Sequence, residues 1–465
     1  MISYDRHDTI CAPATPAGGA IGIIRISGQQ ALSIADSLFR PARQYSSTHT
    51  LVQTKPQTLH YGEIIDSQGN VIDDVLVSIF RAPHSYTGED SVEISCHGSR
   101  YIMGTLLRML VDKGCRQAEP GEYTQRAYMN GKMDLSQAEA VADLIAATNT
   151  ATHRIAISQM RGNISNELAD LREQLLKMTS LLELELDFSD QDVSFADRAS
   201  LLGLAELIDG KITRLADTFA AGKAIKDGIP VAIIGKTNVG KSTLLNCLLH
   251  DDKAIVSDIH GTTRDVIEDV TTIHGISFRF IDTAGLRQTE DEVERLGILR
   301  TYQKLDESTI IIWVIDSIPS YEETESMRER TQDKKLIVVR NKMDETAVSS
   351  GKCDPMPPLP WPAIAISAKY AKNIEALEEA IYRSADIPQL TENDVIVTSA
   401  RHYDALLRAH ESLQRVMEGL HTELSGDLLS EDLRICIEEL GKITGQQISS
   451  TEVLHSIFSH FCIGK

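Results

Sequence analysis

Short apolar runs in the middle of the chain each end in a polar or glycine-rich segment, a pattern that predicts buried strands followed by loops. Val231–Ile234 is the first such run, and helical spacing of apolar residues begins soon after the glycine-rich segment that follows it. Strands that alternate with helices predict an α/β domain, which we place at residues 223–386. Three later apolar runs predict further strands of this domain: Phe278–Ile281, Leu336–Val339 and Ala363–Ile366.

Residues 1–118 contain shorter runs, and these predict a second α/β domain. Alternation of apolar and polar residues predicts half-buried strands, while Tyr101–Val111 has the spacing of a helix. The strand-like runs are Thr9–Ala14, Ile21–Ser27, Val75–Phe80 and Ser91–Ser95.

Residues 119–222 and 387–465 repeat mainly apolar residues at spacings of three and four, which predicts packed helices. His410 falls on one of these repeats and is interpreted as an interior histidine rather than a ligand. Because domain termini often lie close together, the two stretches predict one helical domain with the middle α/β domain inserted in it. The repeats are Ile164, Leu168, Leu171, Leu175, Met178 and Leu182; Leu406, His410, Leu413, Met417 and Leu420; and Leu433, Cys436, Leu440 and Ile443.

The glycine-rich segment after Val231–Ile234 has the spacing Gly235-x-x-x-x-Gly240-Lys241-Ser242, which is typical of a phosphate-binding loop. Glycine allows backbone angles at which successive amides turn toward phosphate oxygens, and the following helix adds its free N–H groups. Lys241 would reach the β- and γ-phosphates, and the Ser242 hydroxyl would bind Mg²⁺. The residues predicted to contact nucleotide here are Asn238, Val239, Gly240, Lys241, Ser242 and Thr243.

Two further motifs supply groups for Mg²⁺ and the γ-phosphate. Gly261-Thr262-Thr263-Arg264-Asp265 offers hydroxyl groups, and Thr263 is the candidate Mg²⁺ ligand. Asp282-Thr283-Ala284-Gly285 follows a predicted strand; its carboxylate suits the Mg²⁺ shell, and its last amide suits the γ-phosphate. The predicted nucleotide contacts in this part of the chain are Ser257, Thr262, Thr263, Asp282, Thr283, Ala284 and Gly285.

Two motifs nearer the end of this domain are suited to guanine. Asp344 can accept hydrogen bonds from the N1–H and N2–H₂ groups of guanine, a pair of donors that adenine lacks. The Ala368 amide, after the last predicted strand, would meet the guanine O6. Because each motif follows a strand, where α/β folds place their ligands, the set predicts a GTP-binding domain. The predicted contacts are Asn341, Lys342, Asp344, Ser367, Ala368 and Lys369.

One position departs from Ras-like GTPases, in which a glutamine after the DTAG motif orients the attacking water. Leu286 stands there, so Asn238 and Glu294 are the candidates for this role. The segments DTAGLR and DEVERLGI closely resemble the MnmE (TrmE) family of tRNA modification GTPases, and the resemblance extends along the whole chain. Other matching segments are GGAIGIIRISG (18–28), SYTGEDSVEISCHG (85–98), PGEYTQRAYMNGKMDLSQAEAVADLI (120–145) and FCIGK (461–465).

The resemblance implies a Ras-like GTPase domain, inserted in a helical domain, that uses K⁺ in place of an arginine finger. Glu294 matches the family's catalytic glutamate, which positions the attacking water. A cation fixed beside the β–γ bridge would stabilise charge that develops in the transition state. The implied K⁺ ligands are Asn238, Ser257, Ile259 and Thr262.

The resemblance also implies an N-terminal domain similar to folate-binding domains of one-carbon enzymes, with 5-formyl- or 5,10-methylene-tetrahydrofolate bound between two copies. The guanidinium of Arg25 is suited to the glutamate carboxylate of folate, and Glu93 to the amino edge of the pterin. Cys462 matches a family cysteine needed for tRNA modification, so it is a candidate nucleophile or a buried apolar residue. The implied folate contacts are Arg25, Glu93, Lys132 and Lys465.

The activity implied by the resemblance requires two different proteins. A homodimer, formed through the N-terminal domains, would join an MnmG-like FAD protein in a heterotetramer. Together they would attach an aminomethyl-type (carboxymethylaminomethyl) group to C5 of the wobble uridine of certain tRNAs, with GTP hydrolysis as a conformational switch. The alternatives are an Era-like ribosome-assembly GTPase, which usually carries a KH domain with a GXXG loop, and a non-enzymatic folate-linked scaffold.

Composition changes this picture mainly through charge. The chain has 46 Lys and Arg against 67 Asp and Glu, and a net charge of −21 disfavours a nucleic-acid partner unless a local basic patch or another protein holds it. The seven cysteines are scattered without a CxxC pair, no apolar run reaches 18 residues, and the N-terminus is charged. These features predict a cytoplasmic protein without membrane contact, disulfide framework or zinc site.

Overall fold

The computed structural model describes residues 8–42, 50–187, 198–249, 269–281, 306–344, 359–387, 394–422, 424–446, 454, 457–459, 461–462 and 464. The chain forms two compact units. The first comprises Met1–Ile145, Gln159–Ile208 and Arg408–Lys465, and the second comprises Ala146–Ser158 and Asp209–Leu407.

The first unit contains a seven-stranded sheet with the order β3-β4-β5-β6-β2-β1-β7. All neighbouring strands run antiparallel except β1 and β7, which pair in parallel. The strands are β1 (Ile10–Pro13), β2 (Ile21–Ser27), β3 (Phe39–Pro41), β4 (Thr58–Ile65), β5 (Val71–Phe80), β6 (Ser91–His97) and β7 (Arg116–Gln117).

The described helices occur in both units. Apolar residues three and four apart share one face of a helix, which is the spacing that predicts the helices of residues 119–222 and 387–465 and the helix at Tyr101–Val111. They are α1 (Ala31–Leu38), α2 (Arg100–Asp112), α3 (Glu122–Met129), α4 (Leu135–Ala146), α5 (Thr150–Met160), α6 (Asn163–Asp187), α7 (Arg198–Asp227), α8 (Lys241–Leu248), α9 (Tyr321–Arg330), α10 (Ile374–Ser384), α11 (Ala400–His421) and α12 (Gly426–Thr444).

One face of the seven-stranded sheet is covered, and part of the other is open to solvent. Alternate residues of β2, β5 and β6 form a core with α1 and α2, in which Ile24, Val77 and Ile94 are fully buried. On the opposite face, Leu59 and Tyr61 are at least half exposed. Strands with one buried and one solvated face are usual in antiparallel sheets.

Long helices complete the first unit. The predicted apolar repeat along α6 is buried along its length, from Ile164 to Leu182, and α6 packs along α12. The repeat on α12 is buried as well. On α11 the inward face carries Ala409 and Val416 beside Leu413, while His410 is only half-buried.

The second unit contains a six-stranded sheet with the order β13-β12-β11-β8-β10-β9. Its neighbouring strands run parallel except β9 and β10, which form an antiparallel pair. The strands are β8 (Ile229–Ile234), β9 (Asp269–Ile273), β10 (Ile276–Phe280), β11 (Ile310–Ile315), β12 (Lys335–Arg340) and β13 (Ala363–Ala365).

Both faces of this parallel sheet are buried, as parallel sheets require. Alternate residues of β8 and β11 enter separate cores: Ile233 and Ile312 pack with α8 and α10, whereas Ile234 and Trp313 pack on the other face. The four apolar runs predicted as strands of this domain correspond to β8, β10, β12 and β13. In the part of the chain that the structure describes, no helix has the length and apolar character needed to cross a bilayer.

Candidate functional site

The phosphate-loop motif lies between β8 and α8, at the carboxyl end of the central strand of the second unit. Only glycine fits at Gly235, since a Cβ there would lie 2.2 Å from the Val314 carbonyl oxygen. Gly240 has φ +94°, and an added Cβ would lie 2.3 Å from the Asn341 side-chain amide. Asn238 also has a positive φ, 64°. These angles give the loop the sharply curved backbone that brings consecutive amides to one concave side.

The polar side chains of the loop lie where α8 begins. The Lys241 ammonium donates to the carbonyl oxygens of Gly235 and Lys236, at 2.9 and 2.6 Å. Ser242 and Thr243 are exposed in the first turn of α8, and Val239 is buried beneath the loop. A helix N-terminus with a lysine and hydroxyl groups is suited to phosphate oxygens and their metal ion.

Asn341 joins the phosphate loop to the last predicted motif. Its side-chain N–H donates to the Val239 carbonyl oxygen at 2.9 Å, and its Oδ1 accepts from the Ala368 N–H at 2.9 Å. The residue is 5% exposed, so both hydrogen bonds are shielded from water. One side chain therefore holds two loops that lie more than a hundred residues apart in sequence.

Asp344 and Ser367 lie together beside this bridge. The Ser367 hydroxyl donates to Asp344 Oδ1 at 2.6 Å, and this bond holds the pKa of the Asp344 carboxyl below its usual range. Because the Ala368 N–H already donates to Asn341, a contact of that amide with guanine O6 would have to share it. The Cys247 thiol of α8 donates to the Ala368 carbonyl oxygen at 2.8 Å, so α8 also supports this loop.

Two ion pairs that the motifs do not predict stabilise the loops. Lys342, with φ +64°, forms an ion pair with Asp316 at 3.2 Å, after the end of β11. Lys236 pairs with Glu323 at 2.5 Å, and Glu323 also closes the capping box of α9 with Ser320. The partners lie 26 and 87 positions apart and share no local pattern, so sequence spacing could not have found these pairs.

A cavity of about 450 Å³ lies between the phosphate loop and α9. Lys236, Trp313 and Met327 contribute to its walls. Its described lining includes neither Asn341, Asp344 nor Ala368, so this cavity is distinct from the residues that are predicted to bind guanine.

In the first unit, Arg25 of β2 and Glu93 of β6 are paired residues of adjacent strands. The guanidinium donates to Glu93 Oε1 from Nε at 2.9 Å and from Nη2 at 2.8 Å. It lies between the rings of Tyr86 and Tyr123, 5.4 and 5.6 Å from their centres, and Nη1 donates to the Gly464 carbonyl oxygen at 3.4 Å. Sequence reasoning missed the two tyrosines, although Tyr86 belongs to the matching segment at 85–98.

Lys132 and Cys462 are the other described residues predicted for this unit's site. The Lys132 ammonium donates to the Pro83 carbonyl oxygen at 2.9 Å, so it joins the loop that carries Tyr86 rather than the Arg25–Glu93 pair itself. Cys462 is exposed, and its carbonyl oxygen accepts from the Gly121 N–H at 3.4 Å.

A network of ion pairs lies behind Tyr123. Arg116 and Arg126 together bind Asp8 and the buried Glu122, and Arg126 also binds Glu89 at 3.2 Å. Burial alone would raise the pKa of Asp8, but hydrogen bonds and charges from the two arginines outweigh it and lower this pKa. The two arginines therefore stabilise the ionised form of Asp8.

Several predicted site residues lie outside the described residues. Roles for them remain predictions from the sequence. They are Ser257, Ile259, Thr262, Thr263, Asp282, Thr283, Ala284, Gly285, Glu294 and Lys465.

A parallel sheet with a phosphate loop and a guanine-type motif at its carboxyl end defines a P-loop GTPase. Residues 9–132 match the family model described as "GTP-binding protein TrmE N-terminus", and residues 135–462 match "MnmE helical domain". The chain belongs to the MnmE family of tRNA modification GTPases.

Relatives named "tRNA modification GTPase MnmE" match the chain over its whole length. That of Bacteroides thetaiotaomicron is 54% identical over 469 residues, covering 99% of this chain and 100% of the relative. That of Flavobacterium johnsoniae is 48% identical over 470 residues, with the same coverage. The G domain of the T. maritima FeoB iron transporter is 25% identical and covers 34% of this chain and 98% of its own, but its TM-score is 0.23.

The family assignment bears out the predicted fold class of an N-terminal α/β domain, a helical domain and a P-loop GTPase domain. It also bears out a GTPase involved in tRNA modification.

Proposed function

We propose that the chain is a potassium-activated GTPase that takes part in modification of the wobble uridine of certain tRNAs. The observation that carries the GTPase assignment is the Asn341 bridge, because it brings the phosphate loop and the guanine motif to one place. Membership of the MnmE family supports the tRNA substrate.

The described residues of the second unit fit a guanine nucleotide and its metal ion. Gly240 adopts the left-handed backbone angle that a phosphate loop uses, and Asp344 is an ionised acceptor for the guanine donors. We assign Mg²⁺ to the hydroxyls of Ser242 and Thr263. When bound, Mg²⁺ would neutralise charge on the β- and γ-phosphate oxygens.

For hydrolysis, we assign the orientation of the attacking water to Glu294. The water oxygen would bond to the γ-phosphorus as the bond to the β–γ bridging oxygen breaks, leaving GDP and phosphate. Asn238 is the described member of the proposed K⁺ site, and it has a positive φ of 64° within the phosphate loop. K⁺ would stabilise the charge that develops on the bridging oxygen, with Ser257, Ile259 and Thr262 completing its shell.

In the first unit, we propose tetrahydrofolate, as the 5-formyl or 5,10-methylene form, at Arg25 and Glu93. Both hydrogen bonds from Arg25 use Glu93 Oε1, so Oε2 would accept from the pterin. The two tyrosines that flank Arg25 hold its guanidinium in place, and Glu93 is the carboxylate that it binds. Lys132 and Lys465 would contribute further positive charge.

We propose a homodimer through the N-terminal domains, and the open face of the seven-stranded sheet supports it. Arg25 and Glu93 lie on the same face as Leu59, Tyr61 and Leu76, by strand register. These three apolar side chains are 40–58% exposed, and exposed apolar patches mark interaction sites. A second copy would cover them and close the folate site.

We further propose the domain limits 1–118, 119–222, 223–386 and 387–465, and a cytoplasmic location. The division of the chain into two units, with both segments of the second lying between segments of the first in sequence, supports an inserted GTPase domain. An MnmG-like partner carrying FAD would complete the enzyme. Because this chain has a net charge of −21, the partner would also supply the basic surface that tRNA phosphates require.

The decisive experiment is nucleoside mass spectrometry of bulk tRNA from cells with and without this protein. We expect loss of a 5-aminomethyl-type wobble uridine on deletion, restored by the wild type but not by Cys462→Ser. Purified Cys462→Ser should hydrolyse GTP normally, which separates the thiol from the GTPase. Unchanged nucleosides together with accumulating ribosomal precursors would contradict the proposal and favour an Era-like assembly role.

A further inference from the structure

The described C-terminal residues, here called the tail (457–459, 461–462 and 464), pack against the start of α3 through Gly121. Gly121 has φ +68°, and an added Cβ would lie 2.6 Å from the Phe458 carbonyl oxygen and 2.9 Å from Phe461 Cβ. Its N–H donates to the Cys462 carbonyl oxygen. Gly121 therefore contacts the tail on both sides of position 460. A residue with a side chain would collide with the tail there.

Two aromatic side chains anchor the tail on this side. Phe458 and Phe461 are 2% and 8% exposed, and they pack with Leu135, Ala138 and Val141 of α4. Their ring centres lie 5.3 Å apart. Burial of these two phenylalanine side chains stabilises the contact of the tail with α4.

The other end of the tail lies on the sheet. Gly464 has φ +95°, and a Cβ there would lie 2.2 Å from the Pro13 carbonyl oxygen. Its own carbonyl oxygen accepts from Arg25 Nη1 at 3.4 Å. The tail thus runs from the α3–α4 cluster to the guanidinium of Arg25, with the exposed Cys462 between its two points of attachment.

We infer that Gly121 is a positioning residue that holds the tail on the Arg25–Glu93 site. The inference rests on the proposed function of that site, and adds that the site depends on a glycine at the start of α3. Any side chain at position 121 would push the tail backbone away and move Gly464 off Arg25 and Cys462 out of place.

A glycine with positive φ at the start of a helix is often needed for its backbone angle alone. Gly131 separates the two explanations, because it has the same φ of +68° and lies just beyond the other end of α3. An added Cβ at Gly131 meets no atom within 4 Å. Gly121→Ala and Gly131→Ala therefore impose matched backbone strain, and only the first collides with the tail.

Limited chymotrypsin digestion of the full chain, read by intact mass, tests the inference without any assay of tRNA or folate. Chymotrypsin cleaves after phenylalanine, and Phe458 and Phe461 are protected by burial in the wild type. We expect cleavage at these two positions to rise at least about tenfold in Gly121→Ala, since proteolysis follows the population of the open form. Wild type and Gly131→Ala should both resist cleavage there.

If Gly121→Ala does not yield folded protein, Gly464→Ala provides the same test from the sheet end of the tail, because its Cβ would collide with Pro13. GTP hydrolysis should be equal in all variants, whereas cells with Gly121→Ala should lose the modified uridine and cells with Gly131→Ala should keep it.

Equal cleavage of Gly121→Ala and Gly131→Ala would overturn the inference. A wild type that modifies no tRNA would instead refute the proposed function, and it would leave the cleavage result standing.

Discussion

Replacing Asn341 by alanine tests whether one buried amide joins the phosphate loop to the guanine motif. The change removes the donor to the Val239 carbonyl oxygen and the acceptor of the Ala368 N–H. Each buried group left without a partner costs about 1–3 kcal/mol. With partial access of water to the loosened loops, we expect the free energy of unfolding of the second unit to fall by about 2–4 kcal/mol.

Nucleotide binding should weaken as well, because the loops must then be ordered by the ligand. If the free energy of GDP binding falls by half as much as the free energy of unfolding, the affinity for GDP falls about 5- to 30-fold, since 1.4 kcal/mol corresponds to a factor of ten. Titration with a fluorescent GDP analogue measures this change, and urea unfolding measures the stability.

Asn373→Gly is the matched control for this prediction. Asn373 donates to the Ala365 carbonyl oxygen at 2.8 Å from an exposed position with φ +61°, which glycine also adopts. We expect a change within about 1 kcal/mol, as for other single exposed hydrogen bonds. If Asn341→Ala bound GDP as tightly as this control and unfolded at the same urea concentration, the bridge would not hold the loops.

Three other predictions concern ions, pH and base choice. GTP hydrolysis should be much faster in KCl than in NaCl at equal ionic strength, and Asn238→Ala should abolish the difference while GDP binding persists. Because the pKa of Asp8 is lowered on folding, its stabilising effect is present above about pH 4 and lost as the pH falls through the folded value. The difference in melting temperature between wild type and Asp8→Asn should therefore shrink in acid. Asp344→Asn should exchange the preference for guanine for one for xanthine, whose O2 accepts from an amide, as competition binding would detect.

Four strands around the phosphate loop could be predicted from sequence because a parallel sheet buries both faces and needs mainly apolar strands. β11 is wholly apolar and pairs with β8, yet it is absent from the predicted strands. β8, β10, β12 and β13 lie within a few residues of the predicted runs. β4, which carries the exposed Tyr61, has no comparable apolar run. It mixes apolar and polar residues on its open side, and it is absent from the predicted strands.

The site was predictable where a motif is local and unpredictable where it depends on contacts across the fold. The spacing around Gly240 identifies a phosphate loop without any structure. In contrast, the Asn341 bridge and the tyrosines around Arg25 join residues that lie far apart in sequence. Gly121 reads as an ordinary turn glycine in the sequence, because the tail that it contacts lies more than three hundred residues away.

The burial of β8 and β11 on both faces has a consequence for how the chain avoids misfolding. In a sheet with one solvent-exposed face, a shift of one residue in strand register moves the apolar side chains into water. The loss of their burial makes the shifted pairing unstable. Here such a slip would only exchange two apolar layers, since Ile233 and Ile234 both enter cores. Gly235 restricts the register of these two strands. Its backbone passes so close to the Val314 carbonyl that neither Ile234 nor Lys236 could take its place. The glycine that shapes the nucleotide loop thus also makes a one-residue shift between β8 and β11 sterically unfavourable.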